Sequence, residues 1–273
     1  MTDIDKPVDP NRTRNNIFII AGTVVVVATY LYLIIAQPAA VGDGVASGGT
    51  PALITLAGYL LGAILIAFGA INRLPTTTVV LVPVAIAINI VVGQITSALG
   101  LPLYLDSIGT ILVAVVAGPA AGAVTGGLSN VIWGLTLSPL ALPFAIVAIV
   151  IGFVAGWAAR IGVFRSYWAP PIAGIVTGII AALASSPISA FIFGGATGGG
   201  TGAIVAAFQA FGNSLLASTT LQGLLSDPLD KLITFTVVMF ILLALPTRFK
   251  QRFPFVRQYN VLPGMKKKAT PAA

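Results

Sequence analysis

Apolar residues in this chain gather into runs of roughly 20, separated by short polar segments. A helix rises 1.5 Å per residue and the hydrocarbon core of a bilayer is about 30 Å thick, so such a run predicts one membrane crossing. Runs of this kind extend from Asn16 to Ala36, Pro51 to Ile71, Thr77 to Leu99, Ala141 to Arg160, Trp168 to Phe191 and Leu229 to Leu245. The stretch from Ser107 to Leu135 is apolar too, but Gly118-Pro119 divides it. Proline fixes φ, disfavours α geometry in the residue before it, and suits the first position of a helix. A short helix from Ser107 to Ala117, a tight turn and a returning helix from Pro119 to Leu135 are therefore expected. The pattern predicts an all-α integral membrane protein of about eight transmembrane helices.

Two segments fit the pattern less simply. From Ala203 to Leu225, the polar residues Gln209, Asn213 and Thr220 recur at helical spacing opposite Ile204, Phe208, Phe211 and Leu215. This reads as an interfacial or re-entrant helix, joined to the preceding span by the glycine-rich run 194–202. That run serves either as a linker or as a lid over a ligand. At the other end of the chain, Arg12 and Arg14 precede the first apolar run and Ala39 and Ala40 follow it. A secretory signal has a similar layout, but the run is long enough to span, and a retained helix is expected.

Composition agrees with a bilayer as solvent: 57% of residues are hydrophobic and 8% charged. The 14 Lys and Arg outnumber the 7 acids, but they lie in short flanking segments and not along one face, which reports orientation in the membrane and excludes a nucleic-acid partner. With eight spans and a cytoplasmic N-terminus, every Lys and Arg except Lys231 falls inside, including Arg73, Arg160, Arg165, Arg248 and Lys266 to Lys268. Asp43, Asp106, Asp227 and Asp230 fall outside, and both termini are then cytoplasmic. The chain has no Cys and no His, which removes thiolate and imidazole metal sites and the usual nucleophile pairs. Three of the seven acids (Asp3, Asp5, Asp9) lie in the polar N-terminal tail, leaving few carboxylates for acid–base work. No enzyme, no cofactor and no metal are expected. There is no Gly-x-x-x-x-Gly-Lys-Ser/Thr loop for ATP, and the span interiors lack carboxylates for ion coupling.

Small residues recur every fourth position: Gly118, Gly122, Gly126; Ala148, Gly152, Gly156; Gly174, Gly178, Ala182. In lipid such ridges permit close helix approach, either within the chain or against another membrane subunit. On the latter reading Ala87, Gly93, Gly118, Gly122 and Gly126 are candidate docking positions. Candidate solute contacts are Tyr104, Asp106, Asn130, Trp133, Gln209, Asn213, Asp230 and Lys231. Asp106 also fits a helix cap, Tyr104 an interfacial belt and Asn130 a helix–helix hydrogen bond. Asp227-Pro228-Leu229-Asp230-Lys231 reads as the opening of the last span, with an Asp as cap and Lys231 snorkelling or paired.

Leu103 to Thr110, Gly118-Pro119, Gly122, Gly126 and Asn130 resemble the substrate-specificity (S) components of energy-coupling-factor (ECF) transporters, in particular the riboflavin/cobalamin-type group. Ser185-Ser186-Pro187-Ile188-Ser189-Ala190, Phe193-Gly194-Gly195, Asp230 to Ile233 and Leu245 to Arg248 follow in order, so the likeness covers about 77–248. It implies a six-helix membrane core at 77–248, preceded by a cytoplasmic tail (1–15) and two additional helices (16–76), and followed by a basic cytoplasmic tail (249–273). It also implies binding of a vitamin-like small molecule by outer loops. A transmembrane coupling subunit and two ATPase subunits of an ECF-type importer in a bacterial cell membrane would be the partners. The alternative is a membrane sensor or scaffold subunit that moves no solute, and a stand-alone secondary transporter is a third reading.

Overall fold

The computed structural model describes residues 11–37, 50–71, 74–195, 197 and 200–263. The acids of the N-terminal tail, Ala39 and Ala40, Asp43, Arg73, part of the glycine-rich run (196, 198 and 199) and Lys266 to Lys268 lie outside these residues. All regular elements among the described residues are helical. They are α1 (Arg12–Ala36), α2 (Thr50–Ile71), α3 (Thr76–Ala98), α4 (Ile108–Ala117), α5 (Pro119–Thr136), α6 (Ala145–Ile161), α7 (Ala169–Phe193), α8 (Thr201–Ala210), α9 (Leu215–Ala244), α10 (Thr247–Lys250) and α11 (Pro254–Tyr259). A 3-10 turn, Pro139–Phe144, leads into α6. Five helices are long and apolar enough to cross a membrane: α1, α2, α3, α6 with its leading turn, and α7. The chain is thus built as a multi-pass membrane protein. Helix α4, with 10 residues, reaches only about half the hydrocarbon thickness. Helix α5 is diluted by glycines and Asn130, and α9 carries Asp227, Asp230 and Lys231 in its middle.

Glycine sets how the helices meet. Gly118 turns the chain at φ 95°, and the two helices flanking it run back along each other. A Cβ on Gly122 would collide with Ala114, and one on Gly126 would meet Thr110, positions equally far on either side of the turn. The same two glycines bring α5 against the backbone of α6 at Gly152 and Ala148. On α7, Gly174 and Gly178 lie against the backbone of α9 at Lys231 and Asp227-Pro228. Without these missing side chains the polar stretch of α9 could not sit at backbone distance from α7. The small-residue ridges on α5, α6 and α7 are therefore occupied by internal packing.

The first two helices form a close pair of their own: Gly22 meets Gly62 and Ile66, Gly58 meets Thr29, and Gly69 meets Asn15 and Ile19. Val26, Leu33 and Tyr59 from this pair belong to the main core, so the additional helices pack on the rest of the protein.

Three elements differ from the sequence reading. The segment 203–225 is not one helix: it is cut at Gly212, φ 86°, into α8 and the start of α9. Asp227-Pro228 does not open the last helix, because α9 runs without a break from Leu215 to Ala244, with Ser214 as its N-cap. Membrane helices tolerate an internal proline where neighbours re-satisfy the freed backbone, and here the glycines of α7 bring a neighbour to that point. Third, the basic segment after α9 is no loose tail up to residue 263. Phe253, Val256, Val261 and Leu262 are buried in the main core, Phe255 lies on Gly118, and Arg165 donates to the carbonyls of Tyr259 and Asn260 at 2.6 and 2.8 Å. The segment thus packs against the short α4.

Candidate functional site

At the end of the bundle where α3 gives way to α4, the helices line a partly open cavity of about 150 Å³, enough for a small solute and not merely one water. Its apolar side comes from the turn before α6 and from α6 itself: Leu140, Phe144, Val147, Ala148 and Ile151. Its polar side comes from the loop between α3 and α4 (Tyr104, Asp106, Ser107), from Asn130 and Trp133 on α5, Ser185 on α7, Thr197 and Thr201 before and at the start of α8, and Asp227 and Lys231 on α9.

The polar side is organised by Asp230, which has no exposed surface. Its Oδ1 accepts the backbone N–H groups of Tyr104 at 3.0 Å and Leu105 at 2.7 Å, and its Oδ2 pairs with the ammonium of Lys231. Leu105 has φ 51°, an unfavourable left-handed conformation for a leucine, which turns two successive N–H groups toward one carboxylate. Lys231 also donates to Ser107 Oγ at 2.8 Å and lies 3.7 Å from Asp106 Oδ1. The ammonium thus donates to Ser107 and Asp230 and forms a longer ion pair with Asp106. Asp227, on the same face one turn earlier, is buried and accepts a long hydrogen bond from the hydroxyl of Ser185 at 3.5 Å. Burial pushes the Asp106 carboxyl above its ordinary range, and the Lys231 charge opposes part of that rise. Tyr104 is likewise raised, first by burial, with its hydroxyl hydrogen-bonded to Thr197 and Thr201. Those threonines are themselves linked at 3.1 Å, so the loop before α8 and the loop after α3 close over the cavity together.

A second polar centre supports the first from below. Asn89 on α3 is fully buried; its Oδ1 accepts from Gly109 N at 2.7 Å and Thr110 N at 3.3 Å, and its Nδ2 donates to Thr110 Oγ1 and Ser129 Oγ. A side chain of α3 therefore satisfies the open amides at the start of α4 and ties α5 to both. Gly109 lets this happen, since a Cβ there would strike the backbone of Ala85.

Of the eight candidate solute contacts, Tyr104, Asp106, Asn130, Trp133 and Lys231 line this one cavity. Asp230 stands directly behind it. Gln209 and Asn213 do not reach it: Gln209 is exposed on α8, and Asn213 Nδ2 bonds to Phe208 O at 2.9 Å to close the turn into α9. Asp106 does not cap α4, whose N-cap position is Ser107 without a side-chain cap bond; Asp106 pairs with Lys231 instead. Trp133 donates to Gln94 Oε1 at 3.0 Å and rests on Gly93. Among the candidate docking positions, Gly93, Gly118, Gly122 and Gly126 are buried by neighbouring helices, whereas Ala87 is exposed beside an apolar groove lined by Pro83, Ile86 and Ile132. Sequence reasoning did not select Asn89, Ser185 or Asp227 for the site. The signal for Asn89 was a polar amide in the middle of an apolar span, and for Asp227 it was the helical spacing from Lys231, masked by the proline between them.

Comparison of the chain with protein-family models, with curated proteins and with solved structures gives no match.

Proposed function

We propose that this protein is the solute-capturing membrane subunit of an ECF-type importer, taking up a vitamin or related micronutrient with ATP hydrolysis supplied by two separate ATPase subunits through a transmembrane coupling subunit. The observation that carries this reading is a partly open cavity, with an apolar floor and a polar wall, at one end of a bundle otherwise built for lipid. Ionisable groups are costly inside a membrane protein and mark functional sites by default. Here Asp106, Asp227 and Asp230, the only acidic side chains among the described residues, gather with Lys231 at or directly behind that cavity. The loops before α4 and before α8 meet over it, as a mouth that opens and closes would require.

In this reading the chain spans the membrane eight times, as α1 to α7 and α9, with α4 as a short span completed by α11. Both termini are cytoplasmic and the cavity faces outward. Support comes from the clustering of Arg160, Arg165 and the α10–α11 segment at one end, against the acids at the other. The test is a binding screen of the purified full-length protein against a panel of vitamins, with native mass spectrometry for any retained molecule, followed by coexpression with coupling and ATPase subunits. Nanomolar or micromolar binding and ATP-dependent uptake are expected. No binding across the panel and no complex with the coupling subunits would overturn the reading and leave a sensor or scaffold subunit.

A further inference from the structure

The cavity wall does not balance its charges. Lys231 and Asp230 neutralise one another, and Asp230 is held away from the cavity by the two backbone N–H groups it accepts. Lys231 donates to Ser107 and Asp230 and lies 3.7 Å from Asp106, so its single charge is already engaged by carboxylates of the protein. Two carboxylates of the lining remain, Asp106 and Asp227, which share this one already paired cation. No arginine and no second lysine lines the cavity among the described residues. Asp227 is 94% removed from solvent, and the hydrogen bond it accepts, from the Ser185 hydroxyl, is long at 3.5 Å. A buried carboxylate without a counter-ion is costly, and a ligand that brings the missing positive charge is favoured in proportion. Trp133 and Tyr104 line the same space, and aromatic rings attract cations as well as apolar rings.

Resting on the reading of this cavity as the solute site, we propose that its solute is a small organic cation: an amine, an amidinium or a positively charged nitrogen heterocycle joined to an apolar ring. The charge would sit between Asp227 and Asp106, and the ring against Phe144, Val147 and Ile151.

Three isosteric probes test this with the full-length protein in nanodiscs: benzamidinium, benzamide and benzoate, measured by equilibrium dialysis with empty nanodiscs subtracted. Benzamidinium is expected to bind at least about tenfold more tightly than benzamide, the equivalent of one modest charge pairing, with benzoate weakest. Asp227→Asn should cut benzamidinium binding by a similar factor while leaving benzamide within about twofold. Asp106→Asn, at a partly exposed side chain, gives the same comparison should the first variant fold poorly. Equal or tighter binding of benzamide or benzoate, no binding of any probe, or an unchanged preference in the carboxylate variants overturns the inference. Vitamin uptake with coupling subunits but no preference for the cation would remove this inference alone. A cation preference without any uptake would remove the importer and leave the cation site.

Discussion

Leu105 donates its backbone N–H to Oδ1 of Asp230, 2.7 Å away and 125 positions later in the chain. The same oxygen takes the N–H of Tyr104, so one carboxylate on α9 fixes the loop that carries Tyr104 and Asp106 to the cavity. The loop has no regular structure of its own, and its geometry depends on this anchor and on the Lys231 contacts beside it. Docking of this loop on α9 therefore shapes the polar wall of the cavity.

Asp230→Asn keeps an oxygen for the two N–H groups but removes the charge that faces Lys231. The ammonium is left buried with the Ser107 hydroxyl and, as ion-pair partner, only the more distant Asp106, and the expected loss is about 3 kcal/mol of stability. Adding Lys231→Met removes the stranded charge. The double variant should unfold at a higher temperature than Asp230→Asn alone, read from thermal melts in detergent. A double variant less stable than the single would show that Lys231 is not held by this carboxylate.

Asn89→Ala removes four hydrogen bonds at the meeting point of α3, α4 and α5 and strands the amide groups of Gly109 and Thr110. At about 0.6 to 1 kcal/mol per bond, the loss should be about 2–4 kcal/mol. Because α4 follows directly on Asp106, hydrogen exchange at the start of α4 should rise more than at α7. A uniform change across both helices would contradict a local role for Asn89.

Gly152→Val should separate α5 from α6, since any side chain at residue 152 runs into the backbone of Gly122 and Ala123. Overpacking of this kind costs about 1–3 kcal/mol or more. Phe153→Leu, at the next position but exposed toward lipid, should leave the melting temperature almost unchanged. Comparable effects of the two would mean that the glycine ridge is not a packing surface.

The helices of this fold were legible wherever apolar length alone decides: α1, α2, α3 and α7 lie within a few residues of their apolar runs, and the turn at Gly118-Pro119 follows from proline chemistry. What failed was inference from local signals that neighbours override. Pro228 reads as a helix start, but glycines 50 or so positions earlier in the chain, on α7, provide the packing that keeps α9 continuous through it. Asp106 reads as a cap, but the partner that claims it lies on α9. Five site residues could be chosen from the sequence because polar groups at membrane depth are scarce, whereas Gln209 and Asn213 were drawn in by a stripe that ends at Gly212.

The C-terminal segment makes the same point and can be tested directly. Its lysines and arginines give it the composition of a solvated tail, yet Phe253 is 2% exposed and stands among core residues, with an edge-on contact to Phe249. Phe253→Ala should cost about 3–5 kcal/mol, as for other buried aromatic residues. Replacing the exposed Arg252 next to it with Ala should cost within about 0.5 kcal/mol. Equal melting temperatures for the two variants would return the segment to a tail.

Orientation can be read from single cysteines, because the natural chain contains none. Ser138 stands at the cavity, at the end of α5, while Ser166 lies in the short link between α6 and α7 beside Arg165, which binds the C-terminal segment. With about 17 helical residues of α6 between these positions, they sit on opposite sides of the hydrocarbon layer. The basic residues gather with Ser166, and in the orientation proposed above from the positive-inside rule that side is cytoplasmic. Ser138→Cys should therefore react with a membrane-impermeant maleimide added to intact cells, and Ser166→Cys only after the cells are opened. The reverse pattern would turn the cavity toward the cytoplasm and make capture of an external solute impossible without a further conformational state. Labelling of both from outside would mean that α6 does not cross, and the eight-span arrangement would fall with it.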